Sequence, residues 1–126
     1  MQLISFKRNL WTGLVVFLLA AMSTWAQTGT TSVRGSVTDK SGAAIVGARV
    51  TVTNGDQGLH RDTVTDGSGA YEFPSLPPGS YVLTIETKGF RKFEQKNLQL
   101  QVNLPATVNA TLEVGASSEI IEVSAQ

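Results

Sequence analysis

Residues 59–73, LHRDTVTDGSGAYEF, hold the side chains with most capacity for chemistry: the only histidine, His60, with Asp62, Asp66 and Ser68. One histidine offers no His–His pair to a metal. The GSG at 67–69 lacks the G-x-S-x-G spacing that raises a nucleophilic serine on a strained turn, so it reads as a structural turn. Asp62, Asp66 and Gly67 fit the first, fifth and sixth positions of an EF-hand calcium loop. Val64 stands at the third position, Phe73 at the twelfth, and no helix flanks the segment. His60 is then an ordinary surface histidine. Asn109-Ala110-Thr111 spells a glycosylation sequon, but it sits on a strand pattern and carries no weight. No catalytic residue, metal site or cofactor emerges, and the chain reads as non-enzymatic.

A second group mixes cations with aromatics: Lys88, Phe90, Arg91, Lys92, Phe93 and Lys96. It is the best candidate binding surface in the chain. The plainer alternative is a packed Phe90 beside a solvated charge run, because isolated surface charges contribute little. Sugar-binding platforms favour exposed tryptophan. Both tryptophans, Trp11 and Trp25, fall in the N-terminal segment, so a glycan is the rival partner rather than the first choice.

Strands must position these residues, because the apolar period is two. Val33, Gly35 and Val37 alternate with Arg34, Ser36 and Thr38. Val50 and Val52 alternate with Thr51 and Thr53, and Tyr81, Leu83 and Ile85 with Val82, Thr84 and Glu86. Such alternation marks strands with one packed and one wet face. Seven are expected, near 31–38, 48–54, 58–65, 70–73, 80–87, 93–102 and 106–114, the third at an edge. Gly- and Pro-rich turns separate them, the pattern of an all-β sandwich. EFPSLPPGSY, residues 72–81, suits a crossing between sheets outside either ladder, since proline lacks the donor a ladder needs. Tyr71, Phe73, Leu76 and Tyr81 should plug one end of the core.

The first 26 residues differ from the rest. Lys7 and Arg8 precede an apolar run from Leu10 to Met22 and small residues ending at Ala26, the layout of a secretory signal peptide. Cleavage is expected between Ala26 and Gln27, with Ser23 as the fallback; an uncleaved membrane anchor is the alternative. The division is then signal peptide 1–26, linker 27–31, sandwich 32–114 and tail 115–126. The mature form, not membrane-spanning, keeps eight basic against ten acidic residues. That balance gives no general attraction to nucleic acid, whose binding needs clustered Lys and Arg. Without cysteine there is no disulfide, so an exported domain must be held by its core.

VRGSVTDKSGAAIVGARVTVTN (33–54) and TDGSGAYEFPSLPPGSYVLTIETKGF (65–90) carry Gly35, Val37, Asp39, Gly42, Gly47-Ala48, Asp66, Gly69, Tyr71 and Phe73. Leu76-Pro77-Pro78-Gly79-Ser80-Tyr81 and Gly89-Phe90 complete the pattern. The order and spacing resemble the carboxypeptidase regulatory-like domain over residues 32–114, with Val46 where such domains often carry proline. The resemblance implies a transthyretin-like, seven-stranded Greek-key sandwich acting as a structural or interaction module. The tail, LEVGASSEIIEVSAQ, resembles the join between such a domain and the plug of an Oar-like TonB-dependent outer-membrane receptor. That implies a periplasmic or outer-membrane-associated setting, with the chain a stand-alone relative, a truncated one or a fragment. An envelope protein or peptide is the expected partner, reached by strand addition at a sheet edge. Glu119 to Val123 could dock in this way on its own sheet or on a partner's. A starch-binding-like carbohydrate module and an accessory role beside a carboxypeptidase are the alternatives.

Overall fold

The computed structural model describes residues 2–21, 28–116 and 118–124. Helix α1 (Gln2–Ala21) leads to nine strands among these residues: β1 (Thr31–Asp39), β2 (Arg49–Asn54), β3 (Leu59–Val64), β4 (Ala70–Leu76), β5 (Gly79–Glu86), β6 (Lys92–Leu100), β7 (Ala106–Thr107), β8 (Ala110–Leu112) and β9 (Ile120–Ser124). The smaller sheet has the order β4-β1-β7, with β8 also on β1; the larger runs β3-β2-β5-β6-β9. The expected all-β sandwich is the observed one, and β3 stands at an edge. Among the described residues no helix is long and apolar enough to cross a membrane. Trp11 and Phe17 of α1 are exposed, and none of its described side chains belongs to the core. The expected cleavage point, Ala26–Gln27, lies outside the described residues.

Alternation builds the interior. In β5, Tyr81, Leu83 and Ile85 are buried while the residues between them are half-exposed. Val33 and Val37 of β1, and Val50 and Val52 of β2, are fully buried. Each such side chain contributes about 1.5–3 kcal/mol relative to exposure. Tyr71 and Phe73 meet edge to face with ring centroids 6.2 Å apart, and Leu76 and Tyr81 are buried with them.

Three expectations need correction. Residues 72–81 are not a free crossing: β4 continues through Pro74 to Leu76, and β5 begins at Gly79. Pro74 is tolerated because β4 is an edge strand, where a missing donor costs no ladder bond. The register slips between Thr31 and Val33 to accommodate it, and Ser75 takes a φ of 55°. The crossing shrinks to Pro77–Pro78, closed by the Tyr81 hydroxyl donating to the Pro77 carbonyl at 2.7 Å.

The expected strand at 106–114 is two strands. β7 pairs in parallel with Val33–Arg34 and β8 with Val37–Asp39. Between them the backbone closes over Gly35, where an added Cβ would stand 1.7 Å from the Val108 oxygen. Asn109 Oδ1 accepts from the Ser36 amide at 3.0 Å, replacing the missing ladder bond. The Tyr71 hydroxyl donates to the Val108 carbonyl at 2.6 Å. Burial pushes the pKa of that hydroxyl up. The ninth strand, absent from the expected seven, is the tail itself: β9 lies parallel on β6, from Lys92 opposite Ile120 to Lys96 opposite Ser124.

Candidate functional site

The basic–aromatic group expected at 88–96 is taken apart by the fold. Phe93 is 6% exposed and belongs to the core, so its ring is not a surface platform; a period of two turns it inward while Lys92 and Glu94 face out. Phe90 is half-buried against the same core. Lys92 Nζ pairs with Glu86 at 3.0 Å. Lys96 Nζ lies 3.3 Å from Glu122 and 3.4 Å from Glu94, and Glu122 with Glu94 raises its pKa. Lys88 is exposed and has no ion pair among the described residues.

Arg91 is the centre of what remains. Its Nη1 is 3.3 Å from Glu113 Oε2, and its Nε is 2.7 Å from Glu119 Oε2. The Nε is shut off from solvent, and its contact with Glu119 is ionic, without the alignment of a hydrogen bond. Gly115 passes flush over the arginine stem, where an added Cβ would stand 2.6 Å from Cγ. The backbone follows the same course. Arg91 N–H donates to the Glu113 carbonyl and Lys92 N–H to the Glu119 carbonyl, both at 2.8 Å. The turn leading to β9 therefore wraps around Arg91, and Lys96 secures the strand beyond it through Glu122. Of the cations singled out in the sequence, Arg91 and Lys96 are counter-ions of the chain's own tail.

The other candidates are also engaged locally. Asp62 accepts from Thr51 at 2.6 Å and Arg49 at 3.0 Å, which lowers its pKa to about 2; His60 Nε2 lies 3.3 Å away. Asp66 Oδ1 accepts from the Ser68 hydroxyl and the Ser68 and Ala70 amides, and the Ser68 bond leads in lowering its pKa. No group of three or more His, Cys, Asp or Glu side chains among the described residues could hold a metal. A shallow concavity of about 470 Å³ opens between β3 and β4, lined by Arg34, Thr63, Val64, Tyr71 and Glu72.

A repeat escaped the sequence reading. Asp39-Lys40-Ser41-Gly42-Ala43 and Asp66-Gly67-Ser68-Gly69-Ala70 share the pattern D-x-S-G-A and fold alike. In each, the aspartate Oδ1 accepts from the serine hydroxyl, the serine amide and the alanine amide. The common spacing was the available signal.

The model of the carboxypeptidase regulatory-like domain matches residues 32–113, from β1 through β8. The chain belongs to this family. The regulatory-like domain thus accounts for the sandwich, while β9 lies outside the matched residues. Over 115 residues, 89% of the chain, it is 34% identical to the TonB-dependent transporter Oar of Myxococcus xanthus, of which it spans 11%. The domain also shares its fold with a candidate carbohydrate binding protein from Bacteroides uniformis: TM-score 0.54, 18% identity, covering 67% of this chain and 41% of that one. A point mutant of catechol 1,2 dioxygenase from Acinetobacter radioresistens shares it too, with TM-score 0.51 and 18% identity, covering 82% of this chain and 60% of that one. At such identities the likeness extends to the fold alone.

Proposed function

We propose that this regulatory-like domain is exported and works as a non-enzymatic interaction or spacer module in a bacterial envelope. The observation that carries the reading is the 34% identity to a TonB-dependent transporter across 89% of the chain. Local engagement of His60, Asp62 and Asp66 supports the absence of catalysis, and Lys7, Arg8 and the apolar residues after them support export. Residues 1–31 fused to a reporter active only outside the cytoplasm test export, and a silent reporter refutes it. Pull-down with the sandwich from envelope extract tests the interaction role; repeated recovery of the sandwich alone counts against a foreign protein partner.

Carbohydrate binding is the second reading, favoured by the shared fold with the Bacteroides uniformis protein. Arg34 and Glu72, cross-strand neighbours without a mutual ion pair among the described residues, offer polar groups in the concavity between β3 and β4. Calorimetry against starch, chitin and peptidoglycan fragments separates the two readings. Heat lost on Glu72→Ala supports the sugar, and no heat with any of the three removes it.

A further inference from the structure

Among the described residues the tail strand pairs with β6 alone, and none of its residues joins the core. Ile120 and Val123 are 55% and 41% exposed. Its charged anchors, Arg91 and Lys96, lie at the mouth of β6 and within it. The segment before it is built from small residues, Gly115, Ala116 and Ser118, with the Glu119 N–H bonded to the Ala116 carbonyl at 2.9 Å. The docking interface is thus a backbone ladder plus two acidic residues that meet Arg91, just before β6, and Lys96 within it.

We propose that β9 is an exchangeable strand: the β6 edge accepts Ile120–Ser124 from a second copy of this chain, in the same parallel register, and gives its own in return. Charge complementarity selects this occupant. Glu119 and Glu122 are spaced to meet Arg91 and Lys96, and a second copy presents the same pair at the same spacing. Reciprocal exchange closes at two copies around a two-fold axis, so it makes a dimer and not a filament. The intramolecular and exchanged forms use the same contacts. Their balance is therefore set by protein concentration against the effective concentration of the tethered strand, on the order of millimolar for a short linker. The inference does not depend on a foreign partner, because a module bound to another protein can keep its own β9 in place.

The chain has no cysteine, so exchange can be trapped cleanly. Gln95 and Val123 are direct neighbours across β6 and β9. Full-length Gln95→Cys and Val123→Cys forms, mixed at about 1 mM and oxidised, are expected to give a mixed disulfide dimer about tenfold above the homodimers of either form alone. Adding Ile121→Pro to the Val123→Cys form should remove the excess, because proline disrupts the docked strand. A mixed dimer no more abundant than the homodimers overturns the proposal. So does light scattering that shows the unsubstituted chain monomeric throughout the same concentration range. Neither outcome touches the pull-down reading above.

Discussion

Arg91 Nε stands 2.7 Å from Glu119 Oε2, across the turn through which the chain leaves the sandwich and returns to it. The pair ties the side chain just before β6 to the one just before β9. It sits at 40% and 55% side-chain exposure, so water screens it, and its value lies in where it acts.

Arg91→Ala should therefore loosen the tail more than the domain. Overall stability is expected to fall by about 1 kcal/mol or less, a melting shift of several degrees at most for a domain of this size. Amides of Ile120–Ser124 should exchange with deuterium faster, while those of β1 and β2 stay protected. Exchange accelerated equally in all strands would refute a local clasp.

Gly35→Ala should be the most damaging small substitution. The new methyl would stand 1.7 Å from the Val108 oxygen, and the opposing atom is backbone that cannot rotate away. A loss of about 3 kcal/mol or more is expected, read by urea unfolding. Ser36→Ala, one residue on and half-exposed, is the control and should cost much less.

Tyr71→Phe removes the donor to the buried Val108 carbonyl and should cost about 1–3 kcal/mol. The pH dependence has a definite sign. Burial raises the Tyr71 pKa in the folded state, so its contribution is complete below the unfolded value near 10. It declines as the pH rises past that value. Alkaline melts should show this decline in the parent chain and less of it in the Phe variant.

Asp62 should titrate at about 2, held there first by the Thr51 hydroxyl and then by Arg49. Its folded pKa is depressed, so its stabilisation is present above the unfolded value near 3.9 and is lost as the pH falls through about 2. Carboxyl-carbon NMR checks the value. Thr51→Val should move the titration upward, and an unchanged midpoint would discount the hydroxyl.

The sandwich was legible because burial follows a period of two, and Val33, Val50 and Leu83 announce it one residue at a time. The break between β7 and β8 was not legible. It depends on how Gly35 and Val108 meet across 73 positions of chain, and no local pattern encodes that meeting. Phe93 was read as a surface aromatic from its charged neighbours, though alternation with Lys92 and Glu94 carried the better signal. The counter-ions of Arg91 and Lys96, Glu119 and Glu122, lie in the tail, where sequence distance hides the pairing. The docking of Glu119 to Val123 on the chain's own sheet was among the expected outcomes, and β9 realises it.

β1 also imposes a timetable. It is the first strand of the sandwich to be synthesised, yet its neighbours come from residues 70–76 and 106–112, and Thr31 Oγ1 waits for the Leu104 carbonyl. Pairings so distant along the chain form slowly. A nascent polypeptide therefore cannot finish its smaller sheet until residue 112 has left the ribosome. Until then β1 can have only β4 beside it.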